Sequence, residues 1–147
     1  MSTPMERLQE GMLDRMWAQW ASLGVSSTVL PEARVIDPEA LLVATSRVAD
    51  RDPRLYELCL AWIDRYGRYV NTARLKRIAV ELDATAEDSY VSMLALLGGE
   101  RATVRHESLR TRSVALQDFT APEALVLRAR ALTGVNARAD MLATLLA

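Results

Sequence analysis

With 147 residues, 50% of them hydrophobic and 25% charged, the chain has the size and balance of one ordinary globular domain rather than a disordered segment. A single cysteine excludes an internal disulfide framework, and no apolar run approaches the ~20 residues that span a bilayer. The net charge of −1 selects no partner, and "MSTPMERLQEGM" lacks the basic and apolar regions of a secretory signal, so a cytoplasmic protein without membrane attachment is expected.

The first predicted helix, near 4–23, opens on Thr3-Pro4-Met5-Glu6, which has capping-box spacing. Met5, Leu8, Met12, Met16, Trp20 and Leu23 fall on one side of it, widened by Leu13 and Trp17. After a connection over 24–36, Asp37-Pro38 and Asp52-Pro53 each place a capping acid before a proline. They start helices near 38–49 and 53–66, because Asp accepts a bond from a free N–H and proline at the first helical position lacks only an unpartnered one. Leu55, Leu58, Cys59, Trp62, Ile63 and Tyr66 form the apolar face of the second of these.

Asn71 can cap a helix near 72–83 with Leu75, Ile78, Ala79 and Leu82, and Thr85-Ala86-Glu87-Asp88 is a weaker start for one near 86–97. A second connection covers 98–119. Thr120-Ala121-Pro122-Glu123 repeats the capping-box spacing before a helix near 121–133, and a last helix is expected near 136–147. Gly24, Gly67, Gly98, Gly99 and Gly134 fall where helical patterns end, as left-handed caps would. The fold predicted is all-α, an irregular bundle of about seven helices, with "RSVALQDF" at 112–119 able to form one short strand.

Chemistry-bearing residues are sparse. Cys59 and His106 each stand alone, which excludes a Cys/His zinc site within one chain; Cys59 reads as a buried thiol and His106 as a loop residue. The acid pairs Asp50/Asp52 and Glu87/Asp88 coincide with helix starts, where exposed N–H groups account for them. Gly98-Gly99-Glu100-Arg101 lacks the spacing of a phosphate loop, and no serine sits in a Gly-x-Ser-x-Gly context. Neither an enzyme nor a bound metal or cofactor is expected.

The acid–base balance is uneven. Residues 1–100 carry 11 basic and 15 acidic side chains, net −4, against 7 and 4, net +3, over 101–147. "RATVRHESLRTR" makes Arg101, Arg105, Arg110 and Arg112 candidate phosphate contacts, with a solvated loop as the competing reading. "AWIDRYGRYVNTARLKRIAVEL" has the outline of the first half of a helix-turn-helix. The segment that follows opens with Glu87 and Asp88, which phosphate would repel, so antiparallel helix packing explains it better.

The stretch "PEALVLRARALTGVNARADMLATLLA" resembles the start of a winged-helix domain of ArsR-like bacterial transcriptional regulators. The resemblance rests on the Gly134-Val135 turn, Arg138, Met141-Leu142 and Leu145-Leu146. Upstream, "VIDPEALLVATSRVADRDPRLYELCLAWIDRYGRYVNTARLKRI" is similar to the N-terminal part of bacterial proteins described as transcriptional regulators. The resemblance implies a helical domain over 1–133 and, over 134–147, the first helix of a winged helix. DNA would then be read by a segment C-terminal to this sequence.

Two functions are therefore expected to compete. The first is a dimerisation or sensory domain of a DNA-binding regulator, with Met141, Leu142, Leu145 and Leu146 as the homodimer interface. Trp17, Trp20, Trp62 and Tyr66 serve there either as the lining of an effector pocket or as plain core. The second is a stand-alone helical interaction module, antitoxin- or adaptor-like, docking through the same last helix.

Overall fold

The computed structural model describes residues 1–25, 35–99 and 122–147. These residues form seven α-helices: α1 (Pro4–Ser22), α2 (Pro38–Arg47), α3 (Pro53–Tyr66), α4 (Thr72–Glu81), α5 (Asp88–Leu97), α6 (Leu125–Thr133) and α7 (Ala137–Leu146). Two single 3-10 turns, Gly67–Tyr69 and Pro122–Ala124, lead into α4 and α6. The fold is all-α, and no strand occurs among the described residues. The segment 112–119, offered above as a strand, lies outside them.

Most starts follow the capping logic. The Thr3 hydroxyl accepts from the Glu6 N–H while the Glu6 carboxylate accepts from the Thr3 N–H, a complete capping box. Asp37, Asp52 and Asn71 each accept a backbone N–H three residues on, from Ala40, Leu55 and Arg74. Asn136 accepts from both Arg138 and Ala139.

Three starts and two stops differ from expectation. The Thr85 motif caps nothing: α5 begins at Asp88, with Glu87 in the cap position and no side-chain bond to it. Before α6 the chain takes a 3-10 turn, because Pro122–Ala124 tightens to i+3 bonding, and α6 proper begins at Leu125; Thr120 lies outside the described residues. α7 begins at Ala137 behind its Asn136 cap. Gly67 and Gly98 close their helices in right-handed geometry rather than as left-handed caps, whereas Asp83 takes a positive φ of 53° after α4.

The core lies where α1, α3, α4 and α5 meet α2. Trp20, Leu42, Val43, Leu55, Cys59, Trp62, Leu75 and Met93 are all fully enclosed there. Trp20 and Trp62 meet edge to face with centroids 5.4 Å apart, a geometry the ring quadrupoles favour. Their indole N–H groups are satisfied, Trp20 donating to the Thr45 hydroxyl at 2.9 Å and Trp62 to the Leu23 carbonyl at 3.2 Å. α4 packs chiefly on α2, and α5 on α3 and α2.

Helices α6 and α7 form a hairpin with a smaller apolar cluster of its own, Leu125, Val126, Ala129, Ala139 and Ala143. Its turn uses Gly134 at φ +83°, a region that costs any residue with a Cβ. The hairpin joins the body through Leu127, which enters the main core, and through a bond from the Ile36 N–H to the Glu123 carbonyl. No described helix is long and apolar enough to cross a membrane.

Candidate functional site

Two kinds of feature stand out: apolar helix faces left uncovered, and a buried cluster of charges. The apolar stripe of α1 divides along its length. Met16, Trp20 and Leu23 are buried, but Met5, Leu8 and Met12 continue the same side of the helix and remain 57–62% exposed. The apolar side read from the sequence is thus buried only towards its C-terminal end. Trp17 marks the change, its indole N–H donating to the Asp52 carboxylate at 2.7 Å while Arg54 lies over its ring.

On α7 the residues that fold back are alanines. Ala139 and Ala143 pack against α6, and their small side chains let the two helices approach closely. Leu142 is half-exposed, and Met141, Leu145 and Leu146 are 64–79% exposed. Met141, Leu142 and Leu145 thus lie on the outer side of the hairpin, whereas Leu146, seven residues after Ala139 and three after Ala143, shares the packed side and is exposed at the end of the helix. Arg138 shares that side, one turn before Leu142 and two turns before Leu145, and is exposed.

The charge cluster was not foreseen. Glu39, at the second position of α2, resembles an acid placed for the helix dipole, yet it is fully buried. Its carboxylate takes Arg130 of α6 at 2.5 and 3.1 Å, Arg74 of α4 at 2.9 Å and the Asn71 N–H at 2.8 Å. Arg130 is 2% exposed and spends its guanidinium on Glu39, Asp140 and the Tyr69 carbonyl. A charge this far from water is tolerable only with such complete pairing. The one sequence signal is Arg130 itself, a cation between Ala129 and Ala131 on the side of α6 that carries Leu127.

Arg74 also grips the Asp37 carboxylate with two donors. Burial pushes the Asp37 pKa up, but the hydrogen bonds from Arg74 and the Ala40 N–H, with the charges of Arg74 and Arg130, outweigh it. The net position is below the ordinary value of 3.8. For Arg130, burial lowers the pKa, and its bonds to Glu39 and Asp140 more than reverse this.

Beside the cluster, a cavity of about 330 Å³ opens between the start of α2 and helices α4, α6 and α7, with Arg74, Arg130 and Asp140 along its wall. Its charged groups are engaged with one another and clamp the helices together. Among the described residues no three His, Cys, Asp or Glu side chains converge as a metal site would require.

The other sequence candidates settle simply. Trp20, Trp62 and Tyr66 are core, and Trp17 lies at its edge. Cys59 is enclosed, and burial pushes its thiol well above the usual range. Burial likewise pushes Tyr56 up to about 12, aided by the neighbouring Cys59, while its hydroxyl donates to the Ser89 carbonyl. Asp52 caps α3, and Asp50 is exposed. Arg101, Arg105, His106, Arg110 and Arg112 lie outside the described residues.

No protein-family model matches the chain, and no match is found among curated proteins or solved structures.

Proposed function

We propose that this chain is a helical dimerisation domain that pairs with a second copy of itself through the outer side of α7. The observation that carries the reading is the exposure of Met141, Leu142 and Leu145 at 64, 42 and 79% on a helix whose other side is already packed. Monomeric proteins rarely leave several large apolar side chains together in water, and such patches commonly mark contact with another protein. Pairing of like with like is the commonest arrangement of such contacts.

The resemblance of Gly134–Leu146 to the first helix of a winged helix supports reading this dimer as part of a cytoplasmic DNA-binding regulator, where a two-fold domain would set the spacing of two DNA-reading units. Sensing has weaker support, because the aromatics that would line an effector pocket are core and the charges beside the 330 Å³ cavity are paired.

Light scattering tests the reading. The wild-type chain is expected at the mass of a dimer, and Leu142→Glu with Leu145→Glu at that of a monomer with unchanged helical circular dichroism. A monomeric wild type, or a double variant of unchanged mass, would refute it. For the regulator role, the chain fused upstream of a winged-helix DNA-binding unit that is monomeric alone should tighten that unit's binding to a two-half-site operator. Equal affinity with and without the fusion counts against that role.

A further inference from the structure

The seam between the α6–α7 hairpin and the body differs in kind from the core. Of the enclosed apolar side chains of α6 and α7, Leu127 belongs to the main core. Leu125, Ala129, Ala139 and Ala143 form a cluster within the hairpin itself. Hydrogen bonds and charges cross the seam beside Leu127. Arg130 reaches the Glu39 carboxylate and the Tyr69 carbonyl, and the Ile36 N–H donates to the Glu123 carbonyl just before α6. Next to them the seam is unfilled, because the cavity of about 330 Å³ is lined by Ile36, Pro38 and Arg74 from the body and by Val126, Asp140 and Ala143 from the hairpin.

We propose that the hairpin is a latch: it opens from the body as a unit while the core of α1 to α5 stays folded, and the Glu39–Arg130 pair is its catch. The proposal concerns the inner seam of the hairpin, not its outer side, and holds for a monomer and a dimer alike.

The way the charge cluster divides is the main argument. Arg130 is paired with Asp140, which rides on the same hairpin, and Glu39 is paired with Arg74, which stays with the body. Opening therefore breaks one ion pair and leaves each charge a partner. It also returns both charges to water, which offsets much of the attraction lost.

Apolar burial points the same way. The stabilisation of a docked helix grows with the apolar surface that docking removes from water. Here most of that burial lies between α6 and α7 and survives opening. A unit with few buried apolar contacts to its surroundings opens well below the free energy of global unfolding. The outer side of α7 moves with the hairpin, so the catch also fixes how that face is presented relative to the body.

Thiol labelling tests the latch, with Cys59 as a reporter of the core. Leu127→Cys reports the seam. Because that change itself weakens docking, Ala124→Cys, enclosed in the turn whose Glu123 is bonded to Ile36, must show the same pattern. Rates are read peptide by peptide by mass spectrometry and divided by those of the same sites in the urea-unfolded chain. The seam thiols are expected to label about tenfold or more faster than Cys59. Leu55→Ala, in the core near the start of α3, should speed Cys59 about tenfold or more and leave the seam rate unchanged. Arg130→Met should speed the seam about tenfold or more. Equal rates at seam and core, or equal acceleration of both by Leu55→Ala, would mean that hairpin and core open together and would overturn the latch. A seam rate unmoved by Arg130→Met overturns it as well, since another contact then holds the hairpin.

Discussion

Glu39 of α2 and Arg130 of α6 stand 91 residues apart in sequence, and their paired side chains are 0 and 1% exposed. The pair ties the α6–α7 hairpin to the body on the helix whose Leu127 enters the main core. Desolvating two charges consumes much of their attraction, so the pair specifies where the hairpin docks more than it adds net stability.

Removing one member strands the other. Arg130→Met is expected to cost about 3–5 kcal/mol in urea unfolding, because Glu39 remains enclosed with only Arg74 as cationic partner. The double variant Glu39→Met, Arg130→Met leaves Arg74 paired with Asp37 and removes both desolvation penalties. It should be less destabilised than the two single variants combined by at least ~1 kcal/mol. Strictly additive losses would show that the two residues act independently.

Asp37 gives the cluster a pH dependence of definite sign. Its folded pKa is lowered from 3.8, so the unfolded chain binds a proton more readily than the folded one. The stability it contributes is present above pH 3.8 and is lost as pH falls through the lower folded value. Asp37→Asn preserves the cap to Ala40 and removes the charge that faces Arg74. Its thermal midpoint should lie below wild type at pH 7, and the gap should narrow below about pH 4. A gap constant from pH 3 to pH 7 would mean that the charge is not what Asp37 supplies.

The hairpin seam depends on small residues. Ala143→Leu pushes a larger side chain between α6 and α7, where Ala139 and Ala143 are almost wholly enclosed, and should cost about 1–3 kcal/mol. Leu145→Ala, on the outer side, should change the unfolding of the isolated monomer by less than ~0.5 kcal/mol. The reverse ranking in denaturant titration would mean that α7 is rotated from the orientation described.

These residues also show what sequence reading reached. The caps at Thr3, Asp37, Asp52, Asn71 and Asn136 were legible because each is a local bond, closed within three residues of its helix start. Periodicity likewise identified the apolar side of α1. It could not say that Met16, Trp20 and Leu23 are buried while Met5, Leu8 and Met12 are not, because burial is decided by what α1 meets from elsewhere in the chain. On α7 the leucines drew attention, whereas the contact that folds it back is made by Ala139 and Ala143, residues without a strong hydrophobic signal. Glu39 was hidden for the same reason: its partners in α4 and α6 are 35 and 91 positions away.

Trp17 and Asp52 govern how firmly α1 meets the body. The carboxylate of Asp52 does two things at once, accepting the Leu55 N–H to cap α3 and the Trp17 indole N–H from α1. Asp52→Ala loses both, about 1 kcal/mol for the cap and a similar amount for the bond to the indole. Trp17→Phe removes the second alone and should cost about half as much, with α3 still capped. Beyond Trp17 towards the N-terminus, α1 is largely exposed, so weakening this bond should loosen Met5–Met12 first. Hydrogen exchange of the amides of Leu8 to Met16 should then quicken in Trp17→Phe while those of α3 stay protected. Equal acceleration in both helices would show instead that the whole body, not the lift of α1, depends on this bond.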